Sequence, residues 1–448
     1  MWVPKLTEHK HLAAKILRAL EADIDAGRLA PGEQLPTHRE LAEHLKVAPG
    51  TVTRAYALAQ TEGLVTSTTG RGTFVASPPA AQEGIIDLSR NLVHREQRDG
   101  NVRTMLGMYG DAGKAALLLD EEQDPAGVLE HRTAAAVWMR RPGFAPAAED
   151  MVVCSGVQHA MHTVLATIAK PGDVVLTEAV TYAGIKAIAA LSGLQLRGLP
   201  MDSEGIEPQS FEDACRRGAR ILYTTPTLQN PTTVTMSAGR RQEIARIAET
   251  YGASILEDDV YGFLAPGAPL PLAAYAPANT YYLLGTSKSI APGLRVSYTI
   301  CPRGMQQQVA NTVRTTIWET SPLMSAVLAK WIEDGTADRT IAYKRAEVTA
   351  RHELAKHILS QTIPPTNTTP HWWIALPEAW RAEDLTEECR KRGVGITPAA
   401  AFAVNRDDVP IAVRICLGAV STQRRLQDGL QIIKEILERG PTMHFTTT

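Results

Sequence analysis

Six short apolar runs set the main constraint on what this chain can fold into. They are 151–155 (MVVCS), 173–178 (DVVLTE), 219–225 (ARILYTT), 253–259 (ASILEDD), 280–286 (TYYLLGT) and 296–301 (VSYTIC). Each has the length of a buried strand, and the stretches between them are long enough for helices. Such alternation predicts an α/β fold with a large, mostly parallel sheet flanked by helices. Toward the end, HWWIALPE, GVGITPAAAF and IAVRICLGA read as a smaller α+β domain. No internal repeat and no low-complexity segment interrupts this pattern.

In sheets of this class, ligands sit beyond the carboxyl ends of the strands. The polar residues gather there. Ser155, Gly156 and Val157 follow a strand and open a helix, whose free backbone amides suit a phosphate. Tyr182 follows the next strand and can lie flat on a ring. Asn230 follows YTTPTLQ and can donate to a phenolate oxygen. Asp258 closes ASILED, with Tyr261 three residues on. The stretch 281–295, YYLLGTSKSIAPGLR, then carries Lys288 out of an apolar run among Gly285, Thr286 and Ser287, with Arg295 seven residues later. Burial disfavours the ammonium form of a lysine, and a neutral amine attacks an aldehyde. An aspartate against a pyridine nitrogen keeps that nitrogen protonated and makes the ring an electron sink. Arg295 can hold a phosphate, and Arg414, in IAVRIC, can clamp an α-carboxylate bidentately. These are the parts of a site for pyridoxal 5'-phosphate (PLP).

In order and placement these residues resemble fold-type I aminotransferases, from near Ile85 to the C-terminus. The resemblance implies that Lys288 is catalytic and carries the covalent link to PLP. Asp258 then meets the pyridine nitrogen, Asn230 and Tyr261 the ring hydroxyl, and Tyr182 the ring face. Ser155, Gly156, Val157 and Arg295 surround the phosphate, with a hydroxyl from Thr286 or Ser287. Arg414 receives an amino-acid carboxylate. Two departures bear on turnover. The usual Tyr-x-Asp-Pro-x-Gly segment is Glu122-Gln123-Asp124-Pro125-Ala126-Gly127 here, without the tyrosine. Tyr109-Gly110-Asp111 looks similar but lacks the proline and the following helix. Gly285-Thr286-Ser287-Lys288 is also one residue shorter than the common form.

The first 76 residues follow another pattern. Leu12, Ile16, Leu20 and Ile24 mark one helical face. Thr37 to Glu40 form a capping box ahead of a second helix. Pro49 opens a third, and 64–76 alternate like two strands around Gly70-Arg71-Gly72. This is the order of a winged helix-turn-helix. Thr51, Thr53 and Arg54 near the start of the third helix would face bases. Thr37 and Arg39 at the second helix would face phosphates, and Gly70 and Arg71 at the wing would enter a minor groove. The run LPTHRELAEHLKVAPGTVTRAYALAQTEGLVTSTTGRGTFV resembles the GntR family of repressors. A GntR-like head on an aminotransferase-like body resembles the MocR class of bacterial regulators.

The expected organisation is therefore a DNA-binding domain at 1–76, a Pro/Ala/Gly linker at 77–84 (SPPAAQEG), and a PLP-binding, effector-sensing body at 85–448. The net charge of −2 excludes a strongly basic coat or an acidic tail. Five scattered cysteines in apolar runs fit reduced, buried thiols, with no metal site. No leader and no membrane-length apolar run is evident, so the expectation is a cytoplasmic protein. The expected function is regulation of transcription by PLP or a small amino compound, through double-stranded DNA and a homodimer. The alternative is an aminotransferase with a secondary DNA-binding head. A third reading is a body that dimerises without PLP. On the first reading, transamination is weak or absent.

Overall fold

The computed structural model describes residues 2–4, 12–25, 28–30, 32–61, 64–68, 72–75, 84–93, 122–359 and 368–441. Gly70, Arg71, the Tyr109 segment and nearly all of the 77–84 linker lie outside the described residues. The chain separates into two compact units, Met1–Gly84 and Ile85–Thr448.

In the first unit, helices Leu12–Asp25, His38–Leu45 and Pro49–Thr61 precede an antiparallel hairpin of β1 (Val65–Thr68) and β2 (Gly72–Val75). Four-residue spacing buries Ile16 and Leu20 against Leu41, Val52, Tyr56 and Val75. The second helix begins where the capping box was expected. The Thr37 side chain accepts from the Glu40 amide, and the Glu40 carboxylate accepts from the Thr37 amide. Such a cap contributes about 1 kcal/mol. Lys46 ends that helix in the left-handed region (φ 53), and its amide donates to Ala42 and Glu43 carbonyls. The short turn that follows delivers Pro49 to the first position of the third helix, where its fixed φ fits.

The second unit is built on a seven-stranded sheet. Its strands are β4 (Met151–Cys154), β5 (Val174–Glu178), β6 (Gln195–Leu199), β9 (Ile221–Thr224), β10 (Ser254–Asp259), β11 (Thr280–Gly285) and β12 (Ser297–Ile300). β3 is Ile86–Asp87, and the hairpin β7 and β8 is Met201–Asp202 with Gly205–Ile206. The sheet order is β4-β12-β11-β10-β9-β5-β6. Only β12 runs antiparallel to its neighbours β11 and β4. Both faces are covered. Val152 and Cys154 of β4 pack with Met161 and Val164 of the helix Val157–Ile168. The alternate residues Met151 and Val153 pack with Ala135 and Val327 on the other face. A strand buried on both sides needs apolar residues at every position, which is why the runs were legible. β6, at one edge of the sheet, was missed in the sequence because its QLRGL alternates exposed and half-buried positions.

The smaller domain pairs β13 (His371–Ala375), β16 (Ala412–Cys416) and β15 (Thr397–Pro398) antiparallel. Helices Thr336–Leu359, Ala382–Lys391 and Gln423–Arg439 cover it around Trp372, Ile374, Val413 and Ile415. β3 joins it by pairing with β14 (Val394–Gly395). Among the described residues no helix is long and apolar enough to cross a membrane. All five cysteines are free and buried.

Candidate functional site

A cavity of about 480 Å³ opens beyond the carboxyl ends of the central strands. Lys288, Asp258, Tyr261, Asn230, Tyr182, Val157, Ser287, Arg295 and Arg414 all line it. They come from segments up to 257 residues apart (414 − 157), so the parallel sheet does the gathering.

Asp258 stands near the end of β10, 3 % exposed. Its Oδ2 accepts a 2.7 Å hydrogen bond from the Tyr223 hydroxyl, while Oδ1 is buried without a protein partner. Burial pushes this carboxyl up from 3.8 to about 7; the Tyr223 bond opposes the shift, and Asp259 and Glu178 add to it. Lys288 lies in the turn after β11. Its Nζ donates to the Asn91 carbonyl. Burial lowers this amine from 10.5 to about 8. A buried, unpartnered carboxyl oxygen facing a cavity is a costly feature. A protonated ring nitrogen is the kind of group that satisfies it.

Arg414 is also buried, despite its strand position. Its Nη1 donates to Asn230 Oδ1 (2.9 Å) and Nη2 to the Ser89 carbonyl (2.7 Å). The guanidinium lies 4.6 Å over the Phe402 ring. Since an arginine offers only donors, Asn230 turns its oxygen to Arg414 and keeps its amide N–H groups as donors. Tyr261 is fully buried, with its hydroxyl bonded to Asn91 Nδ2, and burial pushes the phenol up. Tyr182 caps the helix Ala183–Leu191 and donates to Gln158 Oε1 (3.2 Å). A Cβ on Gly184 would come within 2.2 Å of the Tyr182 ring, so the glycine permits this ring position.

The phosphate end differs in detail from the sequence reading. The Ser155 amide donates to His159 Nδ1, and the Gly156 amide to the Cys154 carbonyl. These two amides are thus committed, and free helix N–H groups begin at Val157, because the first turn has no intrahelical partner. Gly156 (φ +84) contributes by having no side chain: a Cβ there would sit 2.4 Å from Arg295 Nη2. Arg295 donates to Ser287 Oγ and to the Ser155 carbonyl, both at 3.4 Å. Thr286 is a correction. It is fully buried and its hydroxyl donates to the Val296 carbonyl (2.5 Å), so Ser287 is the hydroxyl that reaches the cavity. Thr286 comes directly after β11 and is buried there.

The donor set fits PLP. Guanidinium, hydroxyl and helix amides meet at one end, an amine and a carboxyl lie between, and a second guanidinium stands apart. Sequence reasoning missed Tyr223, Ser89 and Asn91. Tyr223 sits inside an apolar strand run, and Ser89 and Asn91 lie in a segment with no motif.

In the head, Arg39 and Arg54 are exposed, as a DNA contact requires, and Thr51 is half-buried. Thr37 is exposed, but its side chain is engaged in the cap. The Thr53 hydroxyl donates to the Pro49 carbonyl and lies 3.1 Å from His38 Nδ1. His38 packs edge-on against Tyr56 and was not anticipated.

A fold-type I body with this cavity and a three-helix winged head define the class. The profile described as aminotransferase class I and II matches residues 118–433, and that of bacterial regulatory proteins, gntR family, matches 12–75. The chain belongs to the aminotransferase class I and II family, a PLP-dependent one, and carries a GntR-type DNA-binding head in the MocR arrangement. It is 28 % identical to the uncharacterized HTH-type transcriptional regulator YdeF of Bacillus subtilis (strain 168), over 98 % of this chain and 97 % of that one. It is 25 % identical to the vitamin B6 salvage pathway transcriptional repressor PtsJ of Salmonella typhimurium, over 88 % and 91 %. The kynurenine aminotransferase structure from Pyrococcus horikoshii shares the fold, with a TM-score of 0.73, 22 % identity and coverage of 80 % and 92 %.

Proposed function

We propose that this chain is a transcription regulator that reads double-stranded DNA with its head and senses PLP, alone or with a small amino compound, in the Lys288 cavity. The observation that carries the reading is the pairing of Lys288 and Asp258 in one cavity of a chain that also carries a GntR-type head. When bound, PLP supplies an aldehyde and an electron-withdrawing ring. Lys288 offers an amine made less basic by burial. Asp258 holds a proton at the ring-nitrogen side, and Tyr261 and Asn230 orient the ring oxygen. Val157, Ser287 and Arg295 hold the phosphate. Arg414 takes the carboxylate of an amino compound. Occupancy biases the body between two arrangements that differ in their hold on DNA, which requires differential affinity for the two. The repressor PtsJ, named for vitamin B6 salvage, supports PLP itself as an effector. We take the working form to be a homodimer.

One observation favours a second reading, an aminotransferase with a secondary head. Lys288, Asp258, Tyr261, Asn230, Arg295 and Arg414 line one cavity. Binding of the full-length protein to its own promoter region, with and without PLP, separates the two. The regulator reading expects PLP to change DNA affinity several-fold, and Lys288→Ala to abolish both that change and the near-visible absorption of the bound cofactor. Cofactor binding with no effect on DNA affinity would leave the enzyme reading.

A further inference from the structure

One buried titratable group near the site has no part in the scheme above. Glu178 ends β5 and is fully buried. β9 lies between β5 and β10 in the sheet, so Glu178 and Asp258 stand on strands two apart, roughly 10 Å between backbones. Glu178 Oε1 accepts from the Thr224 hydroxyl (2.7 Å) and the Thr225 amide (2.8 Å). The Thr177 and Thr181 hydroxyls reach Oε2 at 3.0 and 3.1 Å. No cation pairs with it among the described residues. Burial pushes this carboxyl up, and the hydrogen bonds around it pull the other way, toward its ionised form.

The middle strand connects the two acids. The Tyr223 hydroxyl gives its proton to Asp258 Oδ2. The Thr225 hydroxyl, 3.5 Å away, is therefore the donor to the Tyr223 oxygen. The Thr225 amide in turn holds Glu178. Other charges act on Asp258 as well. Asp259 on its own strand adds to the effect of Glu178, while Lys288 from the turn after β11 opposes it. Asp259 accepts from Tyr282, and Tyr182 and Tyr261 face Asp258 as neutral phenols.

We propose that Glu178 is a positioning residue for the cofactor site: acting across β9 through Thr225 and Tyr223, its charge makes Asp258 hold a proton at the ring-nitrogen side more tightly. This rests on the reading that the cavity takes PLP. A negative charge in a buried region is weakly screened and stabilises a positive partner nearby. The Tyr223 hydrogen bond does the reverse, because a donor to Asp258 favours the bare carboxylate.

The test is equilibrium dialysis of full-length protein against PLP across pH 6 to 9. Affinity should fall above a break at which the shared proton is lost. Glu178→Gln keeps the side-chain shape and removes the charge. It should move the break down by on the order of one pH unit, read as about tenfold weaker binding on the alkaline side. Tyr223→Phe should move the break up. A purely structural role for Glu178 would weaken binding equally at all pH values, and that outcome overturns the proposal, as does an unmoved break. If Glu178→Gln does not fold, Thr224→Val decides instead. It keeps the carboxylate, removes one donor, and should move the break down by less; an unmoved break there is equally fatal. Wild-type protein that binds no PLP overturns both this proposal and the reading beneath it.

Discussion

Lys288 and Asp258 show how far burial alone can retune a side chain. Lys288 falls from 10.5 to about 8, so about a tenth of it is neutral at pH 7, far more than for an ordinary lysine. The folded value lies below the unfolded one, so the fold disfavours the charged amine. That penalty is full below about pH 8 and gone above 10.5. The rate of PLP capture by cofactor-free protein should therefore rise with pH and level off near 8. An ordinary lysine would keep gaining to about pH 10.4. Stopped-flow absorbance between pH 6 and 10 measures this directly, and a curve still climbing at pH 9.5 would contradict it. The sequence already displayed these two residues, along with Arg295 and Arg414, because each sits where a strand or turn pattern marks it. It did not display Tyr223 or Glu178. Their significance depends on what lies on the next strand, and that is a matter of sheet order.

At the scale of elements, helix N-termini organise both units. In the body, the helix Val157–Ile168 starts at the cavity that Ser287 and Arg295 also line. In the head, the helix Pro49–Thr61 starts after a left-handed Lys46, and Arg54 stays exposed on it. Arg39 is exposed in the first turn of His38–Leu45. Neither arginine is part of the head's core. Replacing both with alanine should leave the fold intact and weaken DNA binding. If both meet phosphates, the salt dependence of binding should lose about one unit of log–log slope per residue. Fluorescence anisotropy over a salt series tests this; unchanged affinity would move the DNA-binding surface elsewhere. Thr53 illustrates the limit of pattern reading in this helix. It lies on the expected outer face, yet its hydroxyl is bonded to the helix backbone. Such local bonding is invisible in spacing.

For the whole molecule, the question is whether the body turns over substrate. Glu122 stands where a tyrosine is expected, and it is exposed. A glutamate lacks the phenol that would support a phosphate, and its charge opposes one. Turnover with common amino and keto acids should therefore fall well below the typical enzyme value of about 10 per second. A coupled assay on PLP-loaded protein checks this, and turnover at or above that value would promote the enzyme reading. The apolar runs determined the layered α/β body, because strands buried on both faces must be apolar throughout. The capping box and turn residues likewise determined the helices of the head, since those signals act within a few residues. Only the tertiary structure decided which hydroxyl faces the phosphate end, which amides are already committed, and that Asp258 shares its surroundings with Tyr223 and Glu178. Those outcomes depend on contacts between strands distant in sequence, where burial and hydrogen-bond competition override any local preference.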